Sequence, residues 1–540
     1  MTRVSLPAHL HPTTARRAGV AVACLSLAIA TGCSASSHPD GARSGASASN
    51  ASNASARPVG AFDVRAENAK PGTKAWQIAA DQQADDTQLA GFVDHDSIAP
   101  GTKLTLKATT QAPSFDVTAY RMGWYGGAQG REVAKRANIA AIAQPKPQVK
   151  AGNEVDASNW KPNATLDTAG WAPGLYLLKL AANVGGKPKA KWIPLVVRSS
   201  TLEGKLGIVY ATPTYQAYNE WGGWSLYHGP NGSRATHVSF DRPYDRSGAR
   251  LVTGGERQVT ALAEKQGLDV GYASQLDVDH TPSIVDGARG LVSLNHDEYW
   301  SVPMRDAWEK ARDHGTNVAF LGANALYWRI RTEGRTIVGY KAEHANDPVQ
   351  GPTTTAMWRS NPAARPENSL TGQLYECFPA RGGVKVTEPN FFLFDGTGAK
   401  AGDTYDGLLG TEIDRAYPIA GTPSTLQVVA HSPVQCSTKG QTHGDMAYYT
   451  TPSGSGVFST GSMSWAVGVL GRNLNYHIDD RSSAFATKVT GNLLTAMAAG
   501  PMGRAHPSTP NLTKIGASAD TSTGTGGPIG TSGTEVKDDD

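Results

Sequence analysis

The sequence predicts a multidomain chain of α and β structure: a β-sandwich, then a doubly wound α/β domain that carries a loop-rich β insertion. Three observations point there. Strand-like alternation without a long helix fills residues 60–199. Strands and amphipathic helices alternate from 200 to 503. One short strand in that second region ends in a polar and aromatic run, Asn295-His296-Asp297-Glu298-Tyr299-Trp300.

The chain begins with a targeting pattern. Arg16-Arg17 precedes the apolar run Ala18 to Ala30, and Thr31-Gly32-Cys33 follows. That run is shorter than the roughly 20 residues of a permanent membrane helix. The pattern predicts a lipoprotein signal over 1–33, with lipidation of Cys33 and an exported protein held to the membrane by its lipid. Ala30 stands where leucine is more typical, so ordinary secretion is the second expectation. Residues 34–59 are mostly Ser, Ala, Asn and Gly, a composition that cannot bury a core and predicts a disordered tether. The same argument predicts a disordered tail over 504–540.

Of the 4 cysteines, Cys24 and Cys33 belong to the signal. Cys377 and Cys436 remain, and in an oxidising compartment they predict one disulfide. No CxxC pair is present, which excludes a finger-type zinc site. The formal net charge is +3, with no basic run interleaved with aromatics, so nucleic acid is not an expected partner. A homo-oligomer is compatible with the sequence.

Lys103-Leu104-Thr105-Leu106-Lys107 and Ser114-Phe115-Asp116-Val117-Thr118 alternate polar and apolar residues. Gly174 to Leu180 and Lys191 to Val197 are the closing strands, which makes an immunoglobulin-like or fibronectin-like sandwich the expected form. Tyr120-Arg121-Met122-Gly123-Trp124-Tyr125-Gly126-Gly127 interrupts it. Such a loop faces a substrate or packs as an aromatic corner on the next domain, and packing is the favoured expectation.

In the α/β region, Lys205 to Tyr210, Leu268 to Ala273, Gly290 to Val292 and Thr316 to Asn324 read as strands. Gly255 to Gln266 reads as an amphipathic helix stopped by Gly267. Ser301 and Pro303 fit the cap and first turn of the helix that follows the polar run. Residues 353–424 read as a loop-rich insertion that covers the site, with short strands at Val384-Lys385-Val386 and Asn390 to Phe394. Ala484 to Ala499 is a closing helix.

His296 and Glu298 alternate with Asp297, so an extended backbone points both to one side, at the carboxyl end where α/β sheets bind ligands. A histidine and a carboxylate there bind metal or exchange protons, or form an N-cap network. Asn324 ends the next strand beside them. The loop after the first strand, Thr212 to Trp224, and the loop Val238 to Tyr244 add Tyr218 and Tyr244. Carboxylate and phenolate oxygens are hard ligands, which favours a hard ion such as ferric iron. There is no GxSxG elbow and no phosphate-binding glycine motif.

Tyr218-Asn219-Glu220-Trp221-Gly222-Gly223, Arg242-Pro243-Tyr244, His296-Asp297-Glu298-Tyr299-Trp300-Ser301 and Phe320-Leu321-Gly322-Ala323-Asn324 together resemble the large (β) subunit of N,N-dimethylformamidase and its exported relatives. The resemblance runs from about Tyr120 to about Gly500. It implies a glutamine amidotransferase-like α/β domain without the Cys-His dyad. It implies hydrolysis of a linear amide C–N bond with one Fe3+ held by two tyrosines and one glutamate. Carried over, the metal ligands fall on Tyr218, Tyr244 and Glu298, with Tyr215 the rival of Tyr218, and the catalytic residues on His296, Asn324 and Glu412. The formamidase works with a separate small subunit that this chain lacks, so a small or envelope-derived amide is a better expectation than dimethylformamide. The competing expectation is a non-catalytic envelope lipoprotein that binds a glycan or peptide.

Overall fold

The computed structural model describes residues 62–515. The signal segment with Cys33, the 34–59 tether and residues 516–540 lie outside the described residues. The described chain is mixed α and β, mostly sheet, in several sheets. No described helix is long and apolar enough to cross a membrane.

The N-terminal third contains two antiparallel-rich sheets. One has three strands, Leu89–Val93, Leu104–Thr110 and Ala164–Leu166. The other has five, including Ser114–Met122, Gly174–Val184 and Lys187–Val197. Leu104, Leu106, Val117, Leu178, Leu180, Ile193 and Leu195 form a common core between them. Leu175, Leu177, Trp192 and Val196 point the other way and join the core of the α/β region. Strands buried on both faces lose clean alternation, which is why Gly174 to Leu178 is a continuous apolar run.

The Tyr120–Gly127 segment packs against that seam, as the aromatic-corner expectation holds. Arg121 is fully buried, and its Nη2 lies 2.6 Å from Glu264 Oε1 on the Arg257–Lys265 helix. Glu264 also accepts from Tyr272 Oη at 2.5 Å, and Arg121 Nη1 donates to Tyr125 Oη at 2.9 Å. Tyr125 donates to Glu67 at 2.8 Å, and Glu67 pairs with Arg131 and Lys70. Burial would raise the Glu67 carboxyl, but its bond to Lys70 and the Arg121 charge outweigh burial and hold it down at about 2. Its folded pKa lies below the unfolded value, so its stabilisation is complete above pH 4.5 and fades as pH falls toward 2. With half-exposed Lys70 screened by solvent, the loss is about 2 kcal/mol. Thermal melts between pH 5 and pH 2.5 should show a steeper fall for wild type than for Glu67→Gln; parallel curves would contradict this.

The main sheet has nine strands. From one edge, Val270–Ser274, Leu206–Tyr210, Gly290–Asn295, Asn317–Gly322 and Gly456–Ser459 run parallel. Arg257–Lys265 and Asp480–Ala499 cover one face, in one core cluster. Gln275–His280 and Val302–Asp313 cover the other. Ser301 caps the latter helix, accepting from the Met304 amide at 3.3 Å.

The expected loop-rich insertion is instead part of this sheet. Residues 353–424 supply two twelve-residue strands, Leu374–Lys385 and Thr404–Arg415, that extend the sheet beyond Gly440–Thr450 and Gln427–Cys436. The outermost strand curls back: the Asp414 amide donates to Gly461 O at 3.0 Å and the Met463 amide to Glu412 O at 3.2 Å. Cys377 and Cys436 are bonded with Cα atoms 6.3 Å apart, joining neighbouring strands within the sheet. The expected strand at Asn390 to Phe394 is replaced by a 3-10 turn at Phe392–Phe394. Residues 504–515, expected as disordered tail, are ordered. The Asn511 side chain accepts from the Val428 amide at 2.7 Å and donates to its carbonyl at 2.9 Å, completing the backbone of a buried strand.

Candidate functional site

The central strand Gly290–Asn295 ends with Asn295 at φ +54°, and the next three residues turn across the carboxyl edge of the sheet. The neighbouring strand ends at Gly322, where a Cβ would stand 1.7 Å from Asn295 O, so only glycine permits this approach. Two strand ends are thereby pressed together. His296 Nδ1 lies 3.4 Å from Ala323 O, and Asn324 follows at φ +57°. Non-glycine residues in left-handed backbone gather at functional sites.

His296 and Glu298 point to one side, with His296 Nε2 3.2 Å from Glu298 Oε2. Asp297 points to the other, where Gln275, Ser293 and Trp300 donate to it. Glu298 is 1% exposed. Its amide donates to Thr214 Oγ1 at 3.1 Å, and its carbonyl accepts from the Tyr327 and Trp328 amides at 3.0 and 2.9 Å.

Tyr218 caps the short helix Thr212–Ala217 that follows the Leu206–Tyr210 strand, where the sequence predicts a loop. Its hydroxyl donates to Glu298 Oε2 at 2.7 Å and lies 2.8 Å from His296 Nε2. The other Glu298 oxygen accepts from Tyr227, whose ring stacks on Tyr218 with centroids 4.6 Å apart. Tyr244 is not in this cluster. It makes no hydrogen bond to Glu298 or His296, and it lines a cleft that it shares with Tyr218, Tyr215, Leu251 and Val252, where Tyr215 bonds Glu256. The physical reason lies in Arg242-Pro243-Tyr244. Arg242 is fully buried and donates to the carbonyls of Gln216, Asn219 and Trp224 at 3.0, 2.9 and 2.8 Å. This element clamps the segment that bears Tyr218, and Tyr244 follows the clamp without joining the hydrogen bonds around Glu298. The loop itself reverses at Gly222, φ +81°, and the reversal brings Tyr227 back over Tyr218.

Glu412, on the outermost strand, places Oε1 3.8 Å from His296 Nε2. Asp414 lies two residues on, on the same strand face, and its Oδ1 accepts from the Asn324 amide at 2.9 Å. Thus the structure brings together His296, Glu298, Asn324, Glu412 and Tyr218 of the sequence-derived residues, and leaves out Tyr244 and Tyr215. It adds Tyr227, Lys341 and Tyr375. Lys341 is buried and lies 3.1 Å from the Tyr227 ring centroid and 3.2 Å from Tyr299 Oη. Tyr375 stands opposite Asp414 in the strand ladder, with its ring against Tyr327 at 5.3 Å.

Burial and then the Glu298 charge push both Tyr218 and Tyr227 well above the ordinary phenol range, so these hydroxyls stay protonated unless a cation stands against them. Burial alone would lower His296; the carboxylates of Glu412 and Glu298 overcome it and raise it to about 9. Burial pushes Glu412 up to about 7, partly offset by the His296 charge. Burial likewise opposes ionisation of Glu298, but the bond and charge of His296 hold it below the usual range. Among the described residues, no group of three or more His, Cys, Asp and Glu side chains is placed to hold a metal. The oxygen cluster differs in containing two phenols. Two buried oxygens beside it, Asn324 Oδ1 and Glu412 Oε2, have no hydrogen-bond partner.

The fold and site define an α/β protein with an acid–base and oxygen-donor cluster at the carboxyl ends of its central strands. Residues 116–477 match the family described as N,N-dimethylformamidase beta subunit-like, C-terminal, a match that covers more than half of the chain. The chain belongs to this family. No curated protein matches it.

Proposed function

We propose that this protein is a metal-dependent hydrolase of a small or envelope-derived amide, with one ferric iron held by Tyr218, Tyr227 and Glu298. The observation that carries the reading is the convergence of three hard oxygen donors inside one buried patch, next to two oxygens without partners. The donor set fits the ion: two phenols and a carboxylate suit a hard, highly charged cation. Family membership supports the amide-hydrolase class. Export and Cys33 lipidation, expected from the sequence, complete the proposal.

When bound, such an ion supplies Lewis acidity toward an amide carbonyl and lowers the pKa of a water. The protein's own residues do the rest. Glu298 ties the two tyrosines and His296 into one unit. His296 keeps a proton on Nε2 through neutral pH, between Tyr218 and the two carboxylates. Glu412, near 7, exists in both protonation states at neutral pH, so it can take a proton from a nucleophilic water and return one to a leaving amine. Trp328 Nε1 donates to Tyr227 Oη at 3.2 Å and fixes that phenol. The curled strand pair bearing Glu412 and Tyr375 walls the site and limits solvent.

A screen of small amides, read as amine released by purified protein loaded with iron, tests the reading. Glu412→Gln should keep its metal and lose about 10²–10⁴-fold in kcat, the usual weight of a general acid–base. Wild-type protein that releases no amine from any amide points instead to a binding module.

A further inference from the structure

We propose that the N-terminal sheets belong to the site: Trp221 seats in them and anchors the one loop that carries both phenols, Tyr218 and Tyr227. The role this gives the loop rests on the iron reading above; the anchoring itself rests on contacts alone.

Tyr218 and Tyr227 stand on the two legs of that loop. Its base is closed by the Leu226 amide, which donates to Ala217 O at 3.0 Å, and there Tyr227 stacks on Tyr218. Its tip reaches out of the α/β core. Trp221 is buried in a small cluster with Ala90, Phe92, Val155, Ala157 and Trp160, all from the N-terminal region. The Trp221 ring meets Trp160 edge-on with centroids 5.5 Å apart, and Trp160 packs on Phe92 at 5.8 Å. The following residue has to be glycine: Gly222 lies at φ +81°, and a Cβ there would stand 2.5 Å from Val155 Cγ1. The same N-terminal stretch steadies the Arg242 clamp. The Ala157 amide donates to Asp241 O at 2.7 Å, and Arg242 Nη1 donates to Trp221 O at 3.3 Å. Trp221 is thus a positioning residue that acts through the loop. A loop fixed in advance spares cation binding the cost of ordering both phenols. Removing outer support of this kind typically weakens a metal site about 10–100-fold.

Trp160→Ala tests the anchor from its far side. Leu104→Ala is the control, because it empties a buried position in the separate core between the N-terminal sheets, at a comparable cost in stability. Hydrogen exchange on the metal-free, full-length proteins should be faster over residues 218–227 in Trp160→Ala and unchanged there in Leu104→Ala. Iron affinity, measured by titration, should fall about 10–100-fold in Trp160→Ala and hold in the control. Unchanged exchange over 218–227 in Trp160→Ala, or an equal rise in Leu104→Ala, would overturn the anchoring. Faster exchange with undiminished iron affinity would overturn the positioning role. If Trp160→Ala does not fold, Trp160→Phe is read in the same way with smaller shifts. Wild-type protein that takes up no iron while the exchange contrast holds removes the iron reading and sustains the anchor.

Discussion

Glu298→Gln is expected to yield a folded protein that is colourless, holds no stoichiometric metal and turns over no amide. Glutamine keeps the volume and one acceptor of the buried side chain. An alanine would instead open a cavity and strand the Tyr218, Tyr227 and His296 groups that now meet Glu298. The loss should come from charge. Two phenols that burial keeps protonated give up their protons only to a cation, and without the carboxylate the cation loses its anionic anchor. Turnover should fall by roughly 10³-fold or more, to background. Metal analysis and near-ultraviolet circular dichroism on the same sample separate loss of metal from loss of fold. Full metal content in the variant would remove Glu298 from the ligand set.

The second large effect is on stability. Arg121→Met should lower the free energy of unfolding by about 3–5 kcal/mol, because it leaves Glu264 buried and uncompensated where the Arg257–Lys265 helix meets the Ser114–Met122 strand. The loss is electrostatic rather than steric, since methionine fills much of the arginine stem. Arg121→Met combined with Glu264→Gln should therefore recover most of it, with Tyr272 still able to bond the amide oxygen. Denaturant melts of the two single variants and the double variant give the coupling directly. Additive losses would mean that the pair holds the seam by shape alone.

The parts of this site legible in the sequence are those fixed by local backbone. His296 and Glu298 share a side because an extended chain alternates, and Asn324 ends the neighbouring strand of a βαβ succession. Glu412 came from family resemblance, and the structure sets it beside His296. Tyr227 was missed because its place depends on a loop reversal at Gly222 and on the Arg242 clamp, neither of which follows from spacing. One signal was available: Tyr227 follows the glycine pair closely enough for the chain to fold back on Tyr218. Tyr375 depends on a long-range ladder with irregular register near Cys377, which no local pattern encodes. The strands around it read as loops for the same reason: glycines such as Gly382 and Gly383 suggest turns until a partner strand is known. Asn511 shows the converse, a polar-looking tail ordered by a single side chain that completes a strand.

The central claim is that Tyr227, rather than Tyr244, completes an iron site with Tyr218 and Glu298. Metal content per chain, measured in wild type, Tyr227→Phe and Tyr244→Phe, tests it most directly. The account predicts about one iron per chain in wild type, as one three-ligand site requires, and the same in Tyr244→Phe. It predicts loss of iron and of the phenolate colour in Tyr227→Phe. Iron retained in Tyr227→Phe, or lost in Tyr244→Phe alone, would contradict it.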